Sequence, residues 1–349
     1  QHPSAAGREH LSRTHGAGSI GCYLGGRLAT AGYDIDFIVR PKIQQQLQTY
    51  GLTVSDYQGL KQTIAVNRLQ ITDDPQIAAQ ADIILVCVKS ASTEQVAGEL
   101  KDILKKKTII ISFQNGLSNV GILKQILTDH ILLEGMVPFN VAALGNGIFH
   151  QGTDGALYVK KHDGLTELAN AFQKANLEIK LESDMQAIQW AKLLLNLNNS
   201  INALSQLPLK QQLSIREYRQ CLAIAQLEAL NLLKIAKIKP AQLTPIPAQF
   251  IPTILKLPNT VFKIVSQKML AIDPLARSSM ADDLSSARKT EIDWINGEVV
   301  NLAKQLKLTA PINEKLIQLV KQAESTSELK AWSGVELKTM LFGQVSKTI

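Results

Sequence analysis

The sequence predicts an α/β amino-terminal domain followed by an all-α carboxy-terminal domain. Three observations carry that prediction. Gly16, Gly18 and Gly21 stand in G-x-G-x-x-G spacing and run into a helical pattern through Ala29. Apolar strand-like runs then alternate with helical stretches as far as about Ser183, the order that builds a parallel sheet with helical crossovers. Beyond Ser183 long helical periodicities dominate, interrupted by a Pro-rich stretch at residues 240–258. The expected division is 1–183 and 184–349, each half long enough for its own core.

The first glycine permits a tight turn, and the second lets the backbone approach a pyrophosphate. The third lets the helix pack closely on the sheet, its amino terminus aimed at the phosphates. Read this way, Gly16, Gly18, Ser19, Ile20 and Gly21 form a dinucleotide-binding loop of the Rossmann type. Residues 34–40 alternate like a strand and end in a cation about 20 residues past the glycines, where a cofactor-selecting residue belongs. An acid there accepts from the ribose 2′-OH of NAD, whereas an arginine suits a 2′-phosphate. Arg40 is read as an NADP selector, against the plainer alternative of a solvated loop arginine before Pro41.

Residues 81–89 form a mostly apolar run, as a strand buried on both faces requires. A helix over 92–104 and a strand over 108–113 follow, with further strands near 131–141 and 157–160. Lys89 and Asn115 end two consecutive strands at the edge where α/β sheets bind ligands, although Asn115-Gly116 is also an ordinary turn. Residues 1–15 begin without Met and are rich in Ser, Arg, His and Ala. Residues 11–15 do not read as the buried apolar strand that should precede the glycines. The first strand is expected to be atypical or missing, with the native start altered or lost.

The composition is that of a globular chain, with 45% hydrophobic residues and mean hydropathy near zero. The net charge of +7 is modest for 349 residues. Its lysines and arginines are scattered rather than clustered with aromatics, which argues against nucleic acid and favours an anionic cofactor and substrate. No apolar run is long enough to span a bilayer. Cys22, Cys87 and Cys221 show no metal-ligand or redox spacing, which fits small buried hydrophobes in a reduced cytoplasmic setting.

On a continuous helix Lys192, Asn196 and Asn199 stand at i, i+4 and i+7 and share one face. Leucines cover most of the rest, wider than a surface helix needs, so the narrow stripe is expected to line a cleft. A lysine there could donate a proton to a carbonyl being reduced. Ser279, with Asp282 three residues on, reads as a capping box. Capping leaves room for a carboxylate at the same helix start. Glu291, taken alone, reads as a surface partner of Arg288.

These pieces together resemble the ketopantoate reductase (2-dehydropantoate 2-reductase) family. The marks are GAGSIGCYLGGRLA, VCVKS, SFQNGL, WAKLLLNLNN and SSMADDLSSARKTEIDWINGEV, in the family's order from about Gly16 to Pro311. The resemblance implies that Lys192 is the general acid and that Glu291 binds the substrate hydroxyl and supports catalysis. It implies that Ser279 holds the substrate carboxylate and that Asn115 and Asn196 line the nicotinamide and substrate site. It also makes Arg40 and Lys89 contacts to NADPH. Many members carry a second asparagine two turns after the lysine; here that position is Ser200. The stretch 237–274 looks longer than in compact members. The expected activity is NADPH-dependent reduction of ketopantoate to pantoate in pantothenate synthesis, with no metal, membrane or nucleic-acid partner and a homodimer left open. Reduction of another 2-keto acid, or a non-catalytic NADPH-binding sensor, are the alternatives.

Overall fold

A computed structural model describes residues 12–15, 18–267 and 274–345. The chain divides into two compact units. The first runs to Gln114 and resumes from Ser118 to Met185; the second comprises Asn115–Leu117 and the chain from Gln186 onward. The short turn Asn115–Leu117, which the sequence reading allots to the first domain, thus groups with the second.

The first unit contains β1 (Ser12–His15), α1 (Ser19–Thr30), β2 (Ile35–Ile38), α2 (Pro41–Tyr50), β3 (Leu52–Asp56), β4 (Lys61–Ile64) and β5 (Gln70–Thr72). It continues with β6 (Ile83–Val86), α3 (Thr93–Leu100), β7 (Ile109–Ser112), α4 (Asn119–Ile126) and β8 (Ile131–Met136). It ends with β9 (Val141–Gly145), β10 (Ile148–Gln151), β11 (Leu157–Lys160), α5 (Thr166–Lys174) and β12 (Ile179–Glu182). Among the described residues one sheet has the order β12-β11-β8-β7-β6-β1-β2-β5. From β5 to β8 every pairing in it is parallel; β11 runs antiparallel to β8. All residues of β6 and β7 are buried, as crossover helices on both faces demand.

Of the two alternatives for the first strand, atypical or missing, the structure shows the atypical one. Ser12–His15 forms a strand, paired in parallel with β2 on one side and β6 on the other. Ladder hydrogen bonds use backbone groups that every non-proline residue carries, so a segment with little apolar character still fills the slot. The sequence also leaves unread a second sheet, β4-β3-β10-β9, whose strands lie under α1. A Cβ on Gly26 would stand 2.6 Å from Val54 Cγ1 and 3.0 Å from Leu52 Cδ2, so the close approach of α1 to β3 requires glycine there. Arg27 is buried and donates to Tyr23 Oη at 2.7 Å and to the Ala175 carbonyl at 2.6 Å. Tyr23 in turn donates to Gln151 Oε1 at 2.6 Å. This chain of bonds ties α1 to β10 and to the end of α5.

The described part of the second unit is helical: α6 (Met185–Asn196), α7 (Asn198–Ser205), α8 (Leu209–Ser214), α9 (Arg216–Ile235), α10 (Ile251–Leu255), α11 (Asn259–Val265), α12 (Ser279–Ser285), α13 (Asn296–Gln305), α14 (Pro311–Glu324) and α15 (Gly334–Val345). Helix α9 is the axis, with α7, α8, α10, α13, α14 and α15 packed on it. Its alanines 223, 225 and 229 are fully buried and let neighbours come close. No helix among the described residues is long and apolar enough to cross a membrane. The three cysteines are buried and none forms a disulfide among the described residues.

The Pro-rich stretch has a structural role. Ala241 N donates to the Ala187 carbonyl at 3.0 Å, which lays this segment along α6. Arg219 of α9 is 0% exposed. It donates to the carbonyls of Leu213, Leu255 and Leu257 and to Asn259 Oδ1, at 2.7–3.0 Å. Its guanidinium also lies 4.0 Å from the Phe262 ring centre. One side chain therefore pins α10 and α11 to α9, with carbonyl dipoles in place of a counter-ion. Arg219→Ala would leave several buried acceptors unmet and open a cavity, so a loss of about 3 kcal/mol or more is expected. The midpoint of chemical denaturation measures it, and a loss under about 1 kcal/mol would show that water replaces the guanidinium there.

Candidate functional site

The first group of residues lies in the sheet-bearing unit. The strand order reverses at β1, with β2 and β5 on one side and β6, β7 and β8 on the other. Open α/β sheets bind ligands at the carboxyl ends of strands beside such a reversal. Gly16 lies outside the described residues. Gly18 caps α1, Ser19 and Ile20 open its first turn, and Gly21 is buried behind them. A Cβ on Gly18 would meet nothing within 4 Å, and the first turn carries no acid. Free amides, a positive dipole end and open space fit a phosphate.

Arg40 follows β2, is exposed, and donates to Ser92 Oγ at 3.1 Å. Lys89 follows β6 and is exposed. A buried network braces the turn next to it. Gln114 Nε2 donates to the Val88 carbonyl at 3.1 Å and to Thr93 Oγ1 at 2.8 Å. Thr93 donates to Asn119 Oδ1 at 2.7 Å, and Asn119 Nδ2 to Ser90 Oγ at 3.0 Å.

The second group lies within the helical unit. Lys192 and Asn196 share one face of α6. The predicted continuous helix through Asn199 is interrupted at Leu197, so Asn199 belongs to α7. Gln226 Nε2 donates to the Leu194 carbonyl at 3.1 Å, the acceptor that an unbroken helix offers to residue 198. A side chain reaching into the ladder is one cause of such breaks.

The other polar groups of α7 serve the scaffold. Asn198 and Gln212 exchange two hydrogen bonds at 3.0 Å, and Ser200 donates to the Leu197 carbonyl. Asn202 donates to the Leu207 carbonyl and accepts from Ser278 N.

Glu291 is 9% exposed. Asn115 Nδ2 donates to its Oε2 at 3.0 Å, and Asn196 Nδ2 approaches Asn115 Oδ1 at 3.4 Å. Asn115, Asn196 and Glu291, far apart in sequence, thus meet, and Lys192 stands one turn from Asn196. Burial brings the Lys192 ammonium down from 10.5 to about 8. Arg288, the surface partner considered for Glu291, binds Asp283 instead, at 3.1 Å. Glu291 is held from behind: Thr290 donates to Glu324 Oε1 through its amide at 2.8 Å and its hydroxyl at 2.6 Å.

Ser279 is the first residue of α12 and is exposed. The cap of that helix is Ser278, whose Oγ accepts from Ala281 N at 3.1 Å. This corrects the capping-box reading. The extended backbone at Ser278 turns its side chain inward, so Ser279 is not needed as the cap.

Two family descriptions match this chain: "Ketopantoate reductase PanE/ApbA" over residues 14–164 and its C-terminal counterpart over residues 184–324. The chain belongs to the ketopantoate reductase family. It is 29% identical to a 2-dehydropantoate 2-reductase of Pyrococcus horikoshii over 324 residues, covering 89% of this chain and 96% of that one. The solved PanE/ApbA family ketopantoate reductase of Ralstonia eutropha superimposes with a TM-score of 0.76 at 26% identity, over 90% of this chain and 98% of the other. A D-mandelate dehydrogenase solved with NADH and anilino(oxo)acetate shares the fold, with a TM-score of 0.74 at 20% identity over 90% and 98% of the two chains.

In this member of the family, sequence reasoning missed Gln114, Thr93 and Asn119, Gln226, and Glu298, whose Oε1 accepts from Leu117 N at 3.2 Å. Gln114 and Glu298 stand inside quoted motifs, SFQNGL and TEIDWINGEV, and polar residues amid apolar neighbours were the available signal. Nothing in the local pattern marks Gln226 or Asn119.

Proposed function

We propose that this chain is an NADPH-dependent 2-keto acid reductase acting on ketopantoate to give pantoate, in pantothenate synthesis. The observation that carries the reading is the buried Glu291 carboxylate held by Asn115, beside a helix face bearing Lys192 and Asn196. The glycine loop would hold the pyrophosphate on α1 amides, Arg40 would meet the 2′-phosphate, and Lys89 would be a further contact to NADPH. When bound, the reduced nicotinamide supplies a hydride to C2 of the keto acid.

The remaining chemistry belongs to side chains. Lys192 Nζ donates a proton to the C2 oxygen as negative charge grows there, and its positive charge stabilises the same oxygen. A pKa near 8 keeps it protonated at neutral pH yet ready to give the proton up. Glu291 accepts from the substrate's hydroxyl, Ser279 binds the carboxylate, and Asn115 and Asn196 orient the groups around them. Reduction of a different 2-keto acid would use the same lysine and serine without the hydroxyl contact.

Outcomes follow for cofactor binding and for turnover. Arg40→Ala should weaken NADPH far more than NADH, and equal binding of the two by the unmutated protein in fluorescence titration rules out the selector role. Lys192→Ala should lower kcat about 100-fold or more while NADPH still binds. The protonated lysine is the active form, so kcat/KM in the unmutated protein should fall as pH rises through about 8. Near-normal turnover of the mutant, or a rate flat through that range, removes Lys192 from the chemistry.

Glu291→Gln weakens a charge-assisted hydrogen bond worth about 1.5–3 kcal/mol. It should cost roughly ten- to a hundredfold in kcat/KM on ketopantoate and much less on a 2-keto acid lacking the hydroxyl. An equal loss on both substrates means that Glu291 does not read the hydroxyl.

A further inference from the structure

The turn that carries Asn115 is gripped at three successive residues, all within the helical unit. Asn115 Nδ2 donates to Glu291 Oε2, and Leu117 N donates to Glu298 Oε1 at 3.2 Å. Gly116 lies between them at φ +88°. A Cβ there would stand 2.7 Å from the Trp294 carbonyl oxygen and 3.3 Å from Glu298 Oε1. Glu298 is 8% exposed and sits in the first turn of α13, where the helix dipole favours a carboxylate. The two carboxylates that meet the turn, Glu291 and Glu298, are seven residues apart on the segment carrying Trp294.

A turn with glycine at its apex has little stiffness of its own. The Asn115 side chain can stay on Glu291 and Asn196 only if the backbone beneath it is fixed, and a displacement of about 1 Å is enough to cost a hundredfold in an oriented reaction. On one side the strand β7 fixes the chain through Ser112. On the other the bond from Leu117 N to Glu298 supplies the second anchor.

We infer that Glu298 is a positioning residue: by holding the Leu117 amide it fixes the turn Asn115–Leu117 and keeps the Asn115 amide on Glu291 and Asn196. Its effect on turnover rests on the reading of Glu291 and Asn115 as substrate-site groups; its hold on the turn does not. Glutamine at this position keeps the accepting Oε1 and a similar length. Leucine keeps the bulk and loses the acceptor.

The test compares the full-length protein with Glu298→Leu and Glu298→Gln. Hydrogen–deuterium exchange at the Leu117 amide should quicken about tenfold or more in the leucine variant and stay within about threefold in the glutamine variant. The leucine variant should also lose about tenfold in kcat/KM on ketopantoate, and glutamine should restore it. In an Asn115→Ala background the same leucine substitution should change kcat/KM by less than about twofold, because the group it positions is already gone.

Wild-type exchange at Leu117 in the leucine variant, or additive losses in the double mutant, overturns the inference. Should Glu298→Leu fail to fold, Glu298→Ser, too short to reach the amide, takes its place. If the unmutated protein leaves ketopantoate untouched, the substrate reading falls. The exchange rates then still decide the clamp, and the double mutant is measured on whichever 2-keto acid is reduced.

Discussion

The backbone pairing of Ser12–His15 is what the first unit depends on. Parallel partners flank this strand on both sides, β2 and β6. Remove it, and two rows of ladder groups in the middle of the sheet lose their partners, an arrangement that buried sheets do not sustain. The same strand marks the reversal of strand order, and α1 opens at Ser19, four residues beyond its carboxyl end. Arg40 and Lys89 reach the same carboxyl edge because β2 and β6 are the two neighbours of β1. The place of Gly18–Gly21 and of both cations therefore follows from one pair of ladders.

In the helical unit the governing constraint is different: charged groups taken from water must find partners. The structure meets it in two ways. Arg219 and Glu228 are absorbed by the backbone. Arg219 takes carbonyls that end α8 and α10, and Glu228 accepts the amides of Ile312 and Asn313 at the start of α14. These charges staple helix ends together. Glu291 instead meets a side-chain amide on a turn from a distant part of the chain, and Lys192 is driven by burial toward a neutral-range pKa. Perturbed or specially partnered charges gathered in one place mark a working site more than a scaffold.

Several elements were legible because their signal is local. Strands β6 and β7 show as apolar runs, the glycine loop as a spacing, and α6 as a leucine-rich period. Helix α6 is shorter than its pattern, because the Gln226 side chain reaches the Leu194 carbonyl from α9, a partner that no window of the sequence contains. The cap of α12 moved by one residue for a similar reason. Asn202 from α7 holds Ser278 N, which fixes the extended backbone that makes Ser278 the cap. The second sheet escaped notice because its strands are short, and because the pairing of β3 with β10 that unites it joins segments far apart in the chain.

The sequence by itself determined the α/β-then-α order, the glycine spacing, the arginine after β2, and the residue types at 115, 192, 196, 279 and 291, since each rests on periodicity or motif within a short stretch. Tertiary structure alone decided that residues 12–15 form a central strand and that Glu291 turns away from Arg288 to meet Asn115. It also decided that Glu298 stands behind the same turn. Those outcomes depend on which distant groups remain to satisfy a buried donor or acceptor, and that is settled only when the chain has folded.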